Sequence, residues 1–461
     1  MSLAESILAG GGHLAHLDPL REDEAGRAVA EVPAPETAGQ LLPQFTQRHC
    51  QAVVAELAGA GVEMDRLLGL SEQDPVTLDL DSTTTEVYGM QKEEATYNYE
   101  GKLSFGSLLC TWAERRRVVA AALRPGSGSD KPVSPRLVPR ALRTLPPGHG
   151  EVRLRADGGF YSATVLTWCR RHRLRFCMVV PRDQLMWEAR RHFPPTAWPP
   201  CREMEKAEVA EGRFSPTGWE HEPRRLLVRR VRVEADQISQ SPKSRRRRTI
   251  PHGQLQLALK GMVGHTYSYS FMVTDLEVDP VEMEFWQRRR AHIEERIRDL
   301  KLGCGLIHLP LRRRRANYAW QTAAVIASNL AAMLSAANVA REREEAASLP
   351  QAASPTNRSR WWDRSTTPRS CGAGCCPCRP GWCTAVGAGT CAWPGGCPTS
   401  RSSGLCTATS PHWVPEDSCL LAVATGRLAI WDGARPSPLP GVRLQASGRA
   451  LPPAAWPASR R

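Results

Sequence analysis

From about residue 346 onward the chain has no Lys, Phe, Tyr or Met, one Ile (Ile430) and one Asn (Asn357). A composition so unbalanced cannot supply an ordinary core, so residues 346–461 are expected to form a disordered low-complexity tail rich in Cys, Pro, Gly and Arg. The missing residues are those with AT-rich codons, which points to GC-rich DNA translated out of frame or by read-through. Nine of the fifteen cysteines lie in this tail, but only Cys375 and Cys378 make a C-x-x-C, and no second pair follows at knuckle spacing. That argues against zinc. The six earlier cysteines also lack metal spacing, as expected of reduced, buried thiols in a cytoplasmic protein. No secretory signal or lipidation motif opens the chain. The long apolar stretch 316–340 carries Asn317, Gln321, Ser328 and Asn329, which favour a core helix over a membrane span.

What the sequence does hold is three carboxylates in three distinct settings. Asp81 follows the run Val76-Thr77-Leu78-Asp79-Leu80. With a period of two, Asp79 and Asp81 share one face of a strand, where like charges are costly unless neutralised, and hard oxygens of this kind suit Mg²⁺ or Mn²⁺. The alternative is a strand end running into a solvated Asp-Ser-Thr turn. Asp157 follows Val152-Arg153-Leu154-Arg155-Ala156 and precedes Gly158-Gly159 and a helical stretch from about Phe160 to His172. It is either a site residue at a strand end or a helix N-cap. Glu294 lies four residues after Arg290 and seven before Lys301, so the three share roughly one helix face. A carboxylate between two cations fits a metal ligand beside phosphate-binding groups; a solvated charged face fits it too.

Taken together, Leu78-Asp79-Leu80-Asp81-Ser82-Thr83, Arg155-Ala156-Asp157-Gly158-Gly159-Phe160-Tyr161 and Arg290-x3-Glu294-x6-Lys301 resemble the DDE transposases of bacterial insertion sequences, over about residues 10–340. The resemblance implies an α/β, RNase H-like mixed sheet flanked by helices. It also implies that Asp81, Asp157 and Glu294 are catalytic and hold two Mg²⁺ (or Mn²⁺) ions, and that Arg290 and Lys301 contact DNA phosphates, with Arg298 between them. Two metals about 4 Å apart activate a water or a DNA 3′-hydroxyl and stabilise the leaving oxygen, so one site can both cut and join strands. The implied partners are double-stranded DNA, at the element's terminal inverted repeats and the target, and a second copy in a synaptic homodimer. The implied location is the bacterial cytoplasm, at the nucleoid. Three positions depart from the pattern: Gln287 stands where a Tyr is expected, residues 102–107 replace an aromatic-His-Pro turn, and Gly158 replaces a small polar residue.

Spacing adds architecture. The 137 residues from Asp157 to Glu294 are too many for one strand-helix passage. After the strand-like run 175–180 come β-like runs at 226–233 and 266–273, the latter with Tyr267, Tyr269, Phe271 and Val273 on one face. The expected organisation is therefore a residual N-terminal helical region over 1–75, a catalytic core over 76–182 and 283–345, a mostly β insertion over 183–282, and the tail 346–461. In relatives with an interrupted core an insertion-domain Trp can stack on an extruded base. Trp187, Trp198 and Trp219 are the candidates, with core packing as the rival for each.

The net charge of +14 is uneven, about −13 over residues 1–100, +19 over 101–345 and +8 beyond. The basic runs Arg245-Arg246-Arg247-Arg248 and Arg312-Arg313 lie in the catalytic region, where a backbone-tracking surface needs them. The first residues read as the middle of an amphipathic helix broken by Gly10-Gly11-Gly12, so a truncated start is expected. Two readings follow. One is a metal-dependent transposase; the other is a catalytically inactive DNA-binding remnant of one, truncated or frameshifted.

Overall fold

The structure is a computed structural model that describes residues 1–24, 31–89, 91–132, 134–194, 196–215, 223–348, 420–424, 427–431 and 436–438. Contacts divide the chain into two units, residues 1–19 with 33–381, and residues 20–32 with 382–461. In the second unit Leu420–Ala424, Arg427–Trp431 and Pro436–Pro438 pair as a small antiparallel sheet. The remainder of the 346–461 tail, with its candidate zinc cysteines, lies outside the described residues beyond Ser348.

The first unit is built on one nine-stranded mixed sheet. Its strands are β1 (Val76–Glu86), β2 (Thr96–Tyr97), β3 (Leu103–Trp112), β4 (Arg117–Pro125), β5 (Val152–Ala156), β6 (Arg175–Val180), β7 (Ala207–Phe214), β8 (Arg224–Glu234) and β9 (His265–Thr274). The hairpin β3-β4 lies antiparallel on one side of β1, and β5 and then β6 lie parallel on the other, giving the order β4-β3-β1-β5-β6. This is the RNase H-like arrangement that the sequence pattern predicts. The sheet then continues through β9, β8 and β7, all antiparallel, so the β-rich residues 183–282 extend the core sheet.

Helices cover both faces, as a sheet buried on two sides requires. They include α1 (Gln47–Leu67), α2 (Ser134–Leu142), α3 (Ala163–Arg171), α4 (Gln184–Arg191), α5 (Pro280–Arg288), α6 (His292–Leu302) and α7 (Arg314–Ser348). The two-residue period of β3 divides the core between them. Leu108, Cys110 and Trp112 join Leu78, Leu80, Leu154 and Phe176 against α2 and α3, while Phe105 and Leu109 face the other way, into a cluster with Trp320 of α7.

Helix α7 is long and apolar enough to cross a membrane by length and composition. Asn317, Gln321, Ser328 and Asn329 are all buried inside the protein. Asn317 exchanges hydrogen bonds with the Leu311 backbone, Gln321 accepts from Ser107 Oγ at 2.8 Å, and Asn329 pairs with both backbone groups of Val118 at 2.8 Å. Ser328 is 6 % exposed. A buried polar group is costly without a partner, so these contacts fix α7 as a core helix against β3 and β4.

One local expectation is corrected. Asp81 does not end its strand: β1 runs five residues further, to Glu86, paired with β3 throughout. Thr83, Thr84 and Thr85 are β-branched, which favours the extended chain over the turn that Asp-Ser-Thr suggested.

Candidate active site

Leu80↔Ala156 is the last pair of parallel β1 and β5, so Asp81 in β1 and Asp157 just after β5 are the next residues along the two neighbouring segments. Each carboxylate is oriented by its own backbone. Asp81 Oδ1 accepts from Ser82 N at 2.7 Å, and Asp157 Oδ1 from Gly159 N at 2.9 Å. Burial pushes the Asp81 carboxyl up to about 6; the Arg290 guanidinium and the Ser82 amide oppose the rise, and the Asp157 carboxylate adds to it. The like-charge cost that the sequence suggested for Asp79 and Asp81 is met by an arginine on each. Asp157 is not a helix N-cap: Ser162 caps α3, accepting from Val165 N.

Asp79 shares the face of Asp81, as the strand period predicts, but its charge is already matched. Arg155 of β5 grips it with two bonds, Nε to Oδ1 at 2.6 Å and Nη2 to Oδ2 at 2.8 Å, both side chains nearly fully buried. The same guanidinium lies 4.8 Å from the Trp286 ring centre and donates to the Trp286 carbonyl, tying β1 and β5 to α5. Asp79 thus belongs to the frame beneath the site.

A further carboxylate, Asp130, stands beside the pair. Ser82 Oγ donates to its Oδ2 at 2.8 Å, and Arg124 Nε to its Oδ1 at 2.8 Å. A Cβ built on Gly159 would lie 3.1 Å from Asp157 Oδ1 and 3.9 Å from Asp130 Oδ2, so both acids flank that glycine. Nothing in the sequence pattern singled out Asp130, which sits in a Gly-Ser-Gly-Ser loop after β4 and reads there as a turn residue.

The third segment approaches through its cations. Arg290 Nη1 meets Asp81 Oδ2 at 3.0 Å, and Lys301 Nζ donates to the Thr84 carbonyl at 2.8 Å, where burial lowers its pKa. These contacts dock α6 along the outer half of β1. Glu294, in the first turn of α6, is exposed. Among the described residues no three His, Cys, Asp or Glu side chains are gathered as a metal would need. Gln287, in the Tyr position, is buried with Nε2 3.4 Å from the Ala156 carbonyl, and its Oε1 has no partner among the described residues.

The basic runs are surface features. Arg245, Arg246 and Arg248 are exposed on a 3₁₀ turn between β8 and β9; Arg247 is half-buried and donates to the Gln240 carbonyl at 2.6 Å. Arg298, Arg312 and Arg313 are exposed as well. Trp187 packs edge-on against Phe271 with ring centres 5.3 Å apart, and Trp198 carries the Arg230 guanidinium 4.2 Å from its ring centre. Both are partly buried against the core. Trp219 lies outside the described residues.

A family model described as "Transposase DDE domain group 1" matches residues 2–242, just over half of the 461. The chain belongs to that transposase family. The matched stretch contains Asp81 and Asp157 and stops short of Glu294. A solved structure, the cryo-EM synaptic complex of a piggyBac transposase with hairpin DNA, matches at 10 % identity and a TM-score of 0.34, over 77 % of this chain and 76 % of that one. No curated protein matches significantly.

Proposed function

We propose that this transposase-family chain cuts and joins DNA strands at the ends of an insertion sequence by metal-dependent phosphoryl transfer. The observation that carries the reading is that Asp81 and Asp157 each follow the last β1–β5 pair, Leu80↔Ala156, inside the stretch that the family model matches. Carboxylate oxygens are the donors that Mg²⁺ and Mn²⁺ prefer. Asp81, Asp157 and Glu294 would hold the ions. When bound, they would supply an activated nucleophile and charge neutralisation at the leaving oxygen.

The chain's own residues supply the rest. Ser82 and Gly159 amides orient the two aspartates, and the Asp79–Arg155 pair keeps β1 and β5 in register beneath them. Arg290 and Lys301 would take phosphate oxygens of a bound strand, leaving Asp81 and the Thr84 carbonyl. Arg298, Arg245–Arg248, Arg312 and Arg313 would track the backbone of double-stranded DNA. Residues 183–282 act as the insertion, with Trp187, Trp198 and Trp219 its candidate base-stacking residues, and two copies would pair element ends in a synaptic homodimer.

One arrangement favours the second reading, a DNA-binding remnant without catalysis. Arg290 occupies Asp81, Glu294 is exposed, and no three acids gather among the described residues. Cleavage of DNA carrying the flanking element ends, measured with Mg²⁺ or Mn²⁺ for the full chain and for Asp157→Ala, separates the two. The expected outcome is strand cleavage that requires metal and vanishes in the variant with DNA binding retained. Binding without cleavage in both proteins establishes the remnant.

A further inference from the structure

Away from the carboxylates a cavity of about 300 Å³ opens between the first turns of α1, the middle of β4, the end of α2 and the start of α7. Its floor is apolar, made by Val54, Val119 and Ala121, while Arg48, Arg140 and Arg143 also line it. No carboxylate lines it, and none of these three arginines has an acidic partner among the described residues. Of the three, Arg140 is half-buried, while Arg48 and Arg143 are exposed at the mouth.

The unmatched charge is felt locally. Burial lowers the Arg140 pKa; Tyr318 opposes the drop, and Arg143 and Arg136 add to it. Gln51, one turn into α1, is half-buried beside Tyr318 in the cavity wall. Arg48 and Gln51 lie in the first turns of a 21-residue helix, whose amino end is itself positive. Three arginines without an acidic partner among the described residues therefore line an empty volume, an arrangement that an anion relieves. Inorganic phosphate would fill only a fraction of that volume and leave the apolar floor uncovered. A planar apolar group carrying the phosphate satisfies both halves, and about 300 Å³ is at the small end of ligand sites.

We propose that this cavity binds a nucleoside phosphate, with the phosphate on Arg48, Arg140 and Arg143 and the base over Val54, Val119 and Ala121. The phosphate comes either from a free mononucleotide or from one residue of a bound DNA strand; only the second source rests on the transposase reading.

The test uses the full chain with metal chelated, so that the carboxylate site is silent. AMP, inorganic phosphate and a short 5′-phosphorylated single-stranded oligonucleotide are titrated by calorimetry. Two variants are compared with the parent: Arg140→Ala combined with Arg143→Ala, which removes charge, and Ala55→Trp, which keeps every charge and blocks the mouth from an exposed position. Circular dichroism and thermal unfolding confirm that both are folded. AMP binding that weakens by about tenfold or more in both variants, the size expected for losing charge-assisted hydrogen bonds, supports the free-nucleotide source. No AMP binding, with oligonucleotide affinity falling similarly in both, supports the strand source. Weakening by the arginine replacements alone would show ordinary surface charge and overturn the proposal. So would AMP and oligonucleotide affinities that neither variant changes, inorganic phosphate binding as tightly as AMP, or an acidic peptide displacing AMP from the site. AMP binding is read without any DNA or metal, so it stands even if the Asp157→Ala comparison shows no cleavage.

Discussion

At the scale of single residues, the site is decided by which carboxylate already has a partner. Asp79 and Asp81 are two residues apart on one face, yet Asp79 is locked in a bidentate bond to Arg155 while Asp81 has a single contact from Arg290. Removing one member of a buried pair leaves the other charge uncompensated. Arg155→Met is therefore expected to lower unfolding stability by about 3–5 kcal/mol in urea titrations. A loss under about 1 kcal/mol would mean that the pair is solvated. Arg290 behaves differently because its position at Asp81 competes with a cation. Arg290→Gln should tighten Mn²⁺ binding to the metal-stripped protein by about tenfold, the worth of one charge-assisted hydrogen bond. Calorimetric titration without DNA reads this directly, and weaker Mn²⁺ binding in the variant would show that Arg290 organises the carboxylates instead of competing with metal.

At the scale of elements, the sequence made much of the sheet readable. The runs 152–156 and 175–180 coincide with β5 and β6, and the alternation Tyr267, Tyr269, Phe271, Val273 lies on the buried face of β9. What it hid came from other elements. The partner of Asp79 sits 76 residues later on a neighbouring strand, and Asp130 is a lone acid in a polar loop, so neither has a local signal. The motif around Arg290 was legible, whereas the exposure of Glu294 depends on how α6 docks through Arg290 and Lys301. The junction of β6 and β9 likewise rests on a residue without a motif. Asp275 Oδ1 accepts from Phe176 N at 2.7 Å, and Thr274 Oγ1 donates to the Phe176 carbonyl at 2.7 Å. Burial raises the Asp275 pKa above its ordinary 3.8, opposed by that amide and by Arg175. Between 3.8 and the raised value the folded chain holds a proton that the unfolded chain has released, so this group's contribution to stability falls as pH rises through that window. Asp275→Asn keeps an oxygen for the Phe176 amide and removes the titration. The difference in urea midpoint between parent and variant should grow in the variant's favour from acid toward neutral pH, and a constant difference would show that the carboxyl does not titrate there.

At the scale of the whole molecule, the charge divides by function more sharply than the total suggests. Residues 1–100 are net acidic and residues 101–345 net basic, with the sheet and its carboxylate pair inside or beside the basic stretch. A DNA-binding protein gains affinity by displacing counterions from phosphates, so the number of contacting cations is read from the salt dependence of binding and not from affinity at one salt concentration. Arg245, Arg246 and Arg248 suit that measurement because they are exposed side chains on a surface turn, whereas Arg247 supports the turn through Gln240. Replacing these three by Ser should leave thermal unfolding unchanged. The slope of log affinity against log salt for double-stranded DNA should become shallower by about 0.9 for each phosphate that the variant no longer neutralises. An unchanged slope would make the run a solvated turn and shift the DNA-tracking surface to Arg298, Arg312 and Arg313, which lie on or beyond the helix that follows Arg290. The same titration on Asp157→Ala separates backbone binding from chemistry, since loss of one carboxylate should not make that slope shallower.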